Sequence, residues 1–299
     1  MAKKPSLSSI ELMRAAGLQV QDLAAVLAGL RPMCRLGLRR GGSARRLLKA
    51  TAQAGNLAVH SYRSEYEGGR EENVLLGPDS ARLLAFAEVV TRKSRARTSA
   101  ESRAATREMG GLLGYPDCCT RAFAATERGR GDVPFAQRRF QGAGVGPHVF
   151  VTNWLYNFHS RSGAELNRML REGYRGMDFY LVPWVPCELA CPSTIRYGRG
   201  LLRVLTQVAP SFAAGLTETL KAPVVFWDDW QFAPLQAARF RGEVCTYHGA
   251  ANLRTLLPAA SWKVLNEGTQ VRPRRGALQV LQDGKETARL RGAQLLRFK

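Results

Sequence analysis

The sequence predicts an α+β chain: a mainly helical body with a few short strands, followed by a small β-rich C-terminal appendage. Three observations carry this expectation. Apolar residues recur at helical spacing through much of 8–221. From about residue 223 the pattern turns to short alternating runs broken by glycine. Hydrophobic residues make up 45% of the 299 positions, which is ample for a packed core. The change of pattern divides the chain into a helical region, 1–222, and a β-rich region, 223–299.

Taken in order, residues 8–30 predict an amphipathic helix. Ser8 or Ser9 caps it, and Ile10, Met13, Leu18, Leu23, Val26, Leu27 and Leu30 form its apolar face. Pro32 follows its end. The stretch 31–49 holds seven basic residues and no acid, Arg31 among them. Short strands are expected at 57–63 and 73–76. Asp79 or Ser80 caps a helix carrying Leu83, Leu84, Phe86, Val89 and Val90. A second basic stretch, 92–107, has six basic residues and one acid, and runs into a helix from about Ser99 to Leu113. Gly110, Gly111 and Gly114 loosen the end of that helix. Tyr115-Pro116-Asp117 opens the next, because proline and an early acid suit a helix start.

Residues 128–147 are Gly-rich and polar and read as a loop or lid. Residues 148–159 read as a buried helix, with a strand as the alternative, and 163–173 as a short helix. A buried strand is expected at 178–185, ending at Pro186. Helices follow from about Cys187 or Pro192 to Leu205 and over 210–221, then a strand over 224–227. In 276–290 the Asp283-Gly284 pair lies between alternating runs, which predicts a hairpin.

Charge is the compositional outlier, at +20 with a pI near 10.5. No run of about 18 apolar residues exists, so no membrane helix is expected. The first residues, MAKKPSLSS, lack a secretory leader's apolar core. A cytoplasmic protein with reduced cysteines is therefore expected. A chain this basic suits an anionic ligand or substrate, nucleic acid or an anionic surface. Its last 28 residues alone carry eight basic and two acidic side chains.

Four of the six cysteines form two pairs, Cys118-Cys119 and Cys187-x3-Cys191, each after a proline at an expected helix start. A helix N-terminus stabilises thiolate, the metal-binding form of cysteine. Two such turns brought together offer up to four thiolates, for zinc or for an iron–sulfur cluster. Adjacent helical residues diverge by about 100°, so Cys118 and Cys119 both reach one metal only if the first of them lies in the turn; otherwise just one is a ligand. His148 or His159 would then complete the site, or a position would stay open. Burial as small hydrophobes and a redox-active pair are the alternatives. Cys34 and Cys245 lack a partner nearby in sequence and are expected to be buried.

The segments LGYPDCCTRAF (113–123) and VPCELACPSTI (185–195) resemble a little-characterised prokaryotic domain family. Its members carry LGYP-x-CC-x3-F and a downstream PC-x3-C followed by Ser or Thr. The resemblance covers about 100–205 and implies one shared cysteine site. It extends to Tyr115, Pro116, Cys118, Cys119, Phe123, Pro186, Cys187 and Cys191, and implies no activity.

Several reactions lack their signatures. A radical-SAM loop needs C-x3-C-x2-C, and the third place is Thr194. There is no C-x2-C, no Walker lysine after the Gly142-x-Gly144-x-Gly146 run, no G-x-S-x-G, and no H-x-E at His148 or His159. These two histidines remain the available general acid/base candidates. His60 and His248 fall in expected strands without a role. Phe226-Trp227-Asp228-Asp229-Trp230 reads as a site at a strand end or as a capped turn. The expectation is thus a metal protein, with catalysis left open. A basic nucleic-acid-binding module, or an accessory protein in a biosynthetic complex, is the alternative.

Overall fold

Three helices and three strands near the N-terminus form a layered unit whose logic is visible in β1 (Cys34–Leu38). Its Cys34 and Leu36 are buried while Arg35 and Gly37 are exposed, the period of a one-sided strand. The computed structural model describes residues 20–38, 42–66, 69–126, 181–188, 190–227, 231–250 and 257–298. Within them, β1 pairs antiparallel with β3 (Gly69–Gly77), which pairs with β2 (Ala58–Tyr66), in the order β1-β3-β2. Val74 and Leu76 on one sheet face meet α1 (Val20–Leu27) and α2 (Gly42–Ala54). Leu75 on the other face meets Phe86 of α3 (Ser80–Ser94). The sheet is therefore covered on both sides.

The stretch 31–49 is thus not simply a charged run. It holds β1 and the first half of α2, and its first arginine is interior: Arg31 is 3% exposed. The expected helix over 8–30 is described as α1 alone, and 8–19 lie outside the described residues.

The capped helices follow the sequence closely. The Asp79 carboxylate accepts from the N–H groups of Ala81 and Arg82 at the start of α3. Thr98 and Glu101 form a reciprocal capping box on α4 (Ser99–Leu112). After α4 the chain reverses through Gly114, whose φ of +74° suits glycine and where a Cβ would lie 2.4 Å from Pro32 Cδ. Then α5 (Asp117–Thr126) folds back on α4. Gly110 permits this approach, because a Cβ there would lie 2.5 Å from Thr120 Cγ2.

Residues 181–185 are not a strand, contrary to the sequence expectation. Leu181 and Val182 are fully buried, as an apolar run requires, but Pro183 and Pro186 remove the donors a central strand needs. Two helices follow, α6 (Pro192–Val208) and α7 (Pro210–Lys221).

The C-terminal part contains β4 (Val224–Phe226), β5 (Phe232–Pro234), β6 (Arg239–Arg241), β7 (Val244–Thr246) and α8 (Ala259–Glu267). It ends with β8 (Gln270–Arg274), β9 (Ala277–Gln282), β10 (Lys285–Arg291) and β11 (Gln294–Leu296). These make a five-stranded antiparallel sheet, β10-β9-β8-β7-β6, and a three-stranded one, β11-β4-β5. The β9–β10 turn has φ of 52° at Asp283 and 78° at Gly284, the left-handed pair of the expected tight hairpin. His248 lies just after β7 and not in a strand.

The small sheet separates two cores. Val224, Phe226, Phe232 and Leu296 point into a core with Leu201, Leu205 and Leu216 of the helices. Val225, Ala233 and Leu295 point into the core of the five-stranded sheet, with Leu265 of α8. Strand alternation thus lets one thin sheet serve both sides. Among the described residues, no helix is long and apolar enough to cross a membrane.

Candidate metal centre

The cysteine site is assembled where the start of α5 meets the turn before α6. Side chains in a helix tilt toward its N-terminus. Cys118 and Cys119, at the second and third positions of α5, therefore both lean into the space ahead of the first turn. Across that space, Cys191 caps α6 and Pro192 occupies its first turn. Cys187 lies outside the helix, in the turn that the Cys191 N–H closes onto the Glu188 carbonyl at 3.3 Å. Cys187 and Cys191 are thus brought together by a turn and not by a shared helical face.

All four sulfurs lie within 4.8 Å of one another. Cys119 Sγ is 3.6 Å from Cys191 Sγ, and Cys118 Sγ is 3.9 Å from both. The expected conflict between adjacent cysteines is absent. The 100° divergence matters for a target beside a helix axis, but much less for one ahead of its end. Cys119 and Cys191 are buried, at 1% and 0% exposure, while Cys118 and Cys187 are half-buried on the outer side. All six cysteines are free thiols, and Cys34 and Cys245 are each fully buried in other cores.

A second set of groups positions the sulfurs. The Trp184 indole N–H donates to Thr194 Oγ1 at 3.1 Å, and both side chains are buried. The same Thr194 Oγ1 lies 3.5 Å from Cys119 Sγ. At Cys191, burial acts to raise the thiol pKa. Donation from the Thr194 hydroxyl and backbone N–H outweighs it, and the net direction is down. At Cys119, burial dominates and pushes the thiol up to about 11, against donation from Thr194 and the Cys187 N–H. Burial and the neighbouring sulfurs of Cys119 and Cys191 also push Cys187 upward. Of the three shifted thiols, only Cys191, at a helix end, is moved toward its thiolate form.

An aromatic wall and a buried ion pair support this arrangement. Trp184 packs between Tyr115 and Tyr197, with ring centroids 5.1 and 4.6 Å away. Arg31 lies over the Tyr115 ring at 5.2 Å, pairs with Asp22 of α1, and donates to the Leu113 carbonyl at the end of α4.

Thr194, Trp184, Arg31 and Asp22 were not legible as parts of a site. Thr194 has a faint signal, since it stands where a third cysteine would complete C-x3-C-x2-C. His148, His159, Asp228, Asp229 and Trp230 lie outside the described residues, as do the elements expected over 128–173. His60 lies in β2.

No family model, no curated protein and no solved structure matches the chain. The cluster of Cys118, Cys119, Cys187 and Cys191 could hold a metal ion, on its own geometry.

Proposed function

We propose that the protein binds one zinc ion through Cys118, Cys119, Cys187 and Cys191, and that the ion fastens the start of α5 to the turn before α6. The observation that carries this reading is the sulfur spacing. A tetrahedral zinc with Zn–S bonds of about 2.3 Å sets its ligand sulfurs about 3.8 Å apart. The separations among Cys118, Cys119 and Cys191, at 3.6, 3.9 and 3.9 Å, bracket that value, and the Cys187 sulfur lies within 4.8 Å of the other three. An iron–sulfur cluster interposes an inorganic core between its cysteines and holds them further apart.

Four thiolates fill a tetrahedral shell, the pattern of zinc sites that hold a fold together. Catalytic zinc keeps a position for water or substrate. Donation to sulfur from Thr194 and from the Cys187 N–H supports the same reading, because it orients ligands and stabilises their charge. Such a site needs reduced thiols, and we place the protein in the cytoplasm on that ground.

The test is metal analysis of the full chain purified under reducing conditions without chelator, together with cobalt substitution. One zinc per chain and the absorption of a tetrahedral thiolate–cobalt centre are expected. Iron with stoichiometric inorganic sulfide would replace zinc by a cluster. A folded chain that takes up no metal would overturn the reading.

A further inference from the structure

The five-stranded sheet has two faces of opposite chemistry, and the strand register assigns every residue to one of them. Phe240, Cys245, Val271, Val280 and Ala288 align across the strands, in the core or against it. The intervening residues face the other way. One row there runs Arg239, Thr246, Gln270, Leu281 and Glu286. A second contains Arg241 opposite Val244, and Arg272 opposite Gln279 opposite Arg289. A third pairs Arg274 with Ala277 and Ala277 with Arg291. Six arginines from three strands therefore share one face. Glu286 is its one acid within the strands, while Glu243 and Asp283 lie in the turns at its margins.

Three of these arginines, Arg272, Arg274 and Arg289, are held together and not merely exposed. Arg272 donates through Nε and Nη2, and Arg274 through Nε, all to the single Gln279 Oε1 at 2.8 to 3.1 Å. A neutral acceptor thus gathers two like charges without cancelling either. Gln279 in turn donates to Glu286, which Arg289 meets at 2.6 Å. Glu286 offsets one of the six charges.

The shape of the charge selects its ligand. Arg241 and Arg289 stand on opposite edge strands, four spacings or about 19 Å apart at about 4.8 Å per spacing. A small anion cannot span that distance, whereas a polyanion can. The face carries no aromatic side chain, since Phe240 lies on the core side. Single-strand binders use aromatic platforms for exposed base faces, whereas a duplex keeps its bases stacked and is held without them through its phosphates. We infer that this arginine face binds the phosphate backbone of duplex nucleic acid without reading its sequence.

The test uses the full chain and a fluorescein-labelled DNA duplex of 20 base pairs, with anisotropy read between 50 and 200 mM salt. Five uncompensated arginines predict a slope of log K on log salt near about −4.5, which is roughly a 500-fold loss over that range. The triple variant Arg239→Gln/Arg241→Gln/Arg291→Gln touches none of the Gln279 hydrogen bonds. It should flatten the slope by about 3, while the corresponding Arg→Lys triple variant keeps it. Removing equal charge elsewhere, with Arg95→Gln/Arg97→Gln/Arg107→Gln, should leave the slope unchanged. An equal loss in that control would assign binding to overall charge and overturn the proposal. So would equal affinity for a single strand of the same length, or equal competition by polyglutamate.

Discussion

The sulfurs of Cys119 and Cys191 lie 3.6 Å apart although 72 positions separate them in the chain. Two helix starts that face each other produce this contact, and Thr194, one turn into α6, touches the pair through its hydroxyl.

Replacing Thr194 with valine keeps its volume and removes that hydroxyl. The Trp184 N–H loses its acceptor, which costs about 1–3 kcal/mol. Zinc affinity should fall about 10–100-fold, as for other residues that orient metal ligands. Thr194→Ser should restore most of the affinity. Competition with a chromophoric chelator measures the change, and equal affinities for wild type and Thr194→Val would remove Thr194 from the site.

Gly110 controls how closely α5 approaches α4. In Gly110→Ala the new methyl meets Thr120 Cγ2 and Oγ1 at 2.5 and 2.6 Å, so α5 must shift and carry Cys118 and Cys119 with it. Overpacking of this kind costs about 1–3 kcal/mol. Because Thr120 supplies both close atoms, Thr120→Ala in the same chain should recover much of the loss. Urea denaturation of the two single variants and the double variant tests this. A double variant no more stable than Gly110→Ala would place the strain elsewhere.

Arg31 and Asp22 form an ion pair with side-chain exposures of 1% and 6%. Burial alone would lower the Arg31 pKa, but Asp22 and other neighbours reverse the direction and keep the guanidinium charged. Asp22→Asn or Arg31→Met strands the other charge inside the protein, at a cost of about 3–5 kcal/mol. Replacing both should cost less than the two single losses added together. Additive losses in a denaturation cycle would show that the pair does not act as a unit.

Two thiols outside the metal centre make the fold sensitive to alkali. Burial raises Cys34 strongly and pushes Cys245 up to about 11. An unfolded cysteine ionises near about 8.5. Below that pH both states hold the proton and this contribution to stability is complete. Above it the unfolded chain releases its proton first, so stability declines until the pH passes the folded value, about 11 for Cys245. Zinc binding runs the other way up to about pH 9, because its ligands must lose protons that the unfolded thiols still hold there. Once the unfolded thiols have ionised, melting temperatures of the zinc-loaded protein should fall from about pH 9 to about pH 10.5, and less steeply in Cys245→Ala. The same decline in both proteins would assign the loss to other groups.

Capping chemistry explains why α3, α4 and α5 were legible within a residue or two. Asp79, Thr98 with Glu101, and Pro116 with Asp117 act on neighbours only a few positions away. The Asp283-Gly284 turn is local in the same sense. Over 31–49 the charge hides the alternation. Cys34 and Leu36 already carry the period of a strand, but five residues are too short to stand out among so many arginines. Over 178–185 hydrophobicity argues for a strand, but Pro183 inside 181–185 and Pro186 just beyond it decide against one there.

By itself the sequence determined the α+β class, the caps, the hairpin and the two cysteine pairs, because each depends on a few adjacent residues. Tertiary structure decided that the pairs meet, that both Cys118 and Cys119 reach the common space, and that Thr194 and Trp184 stand behind the sulfurs. It also decided that Arg31 is interior while six arginines share one sheet face. The reason is physical. Local hydrogen bonds and side-chain periodicity set an element's type, but the partner of a side chain depends on how distant elements pack.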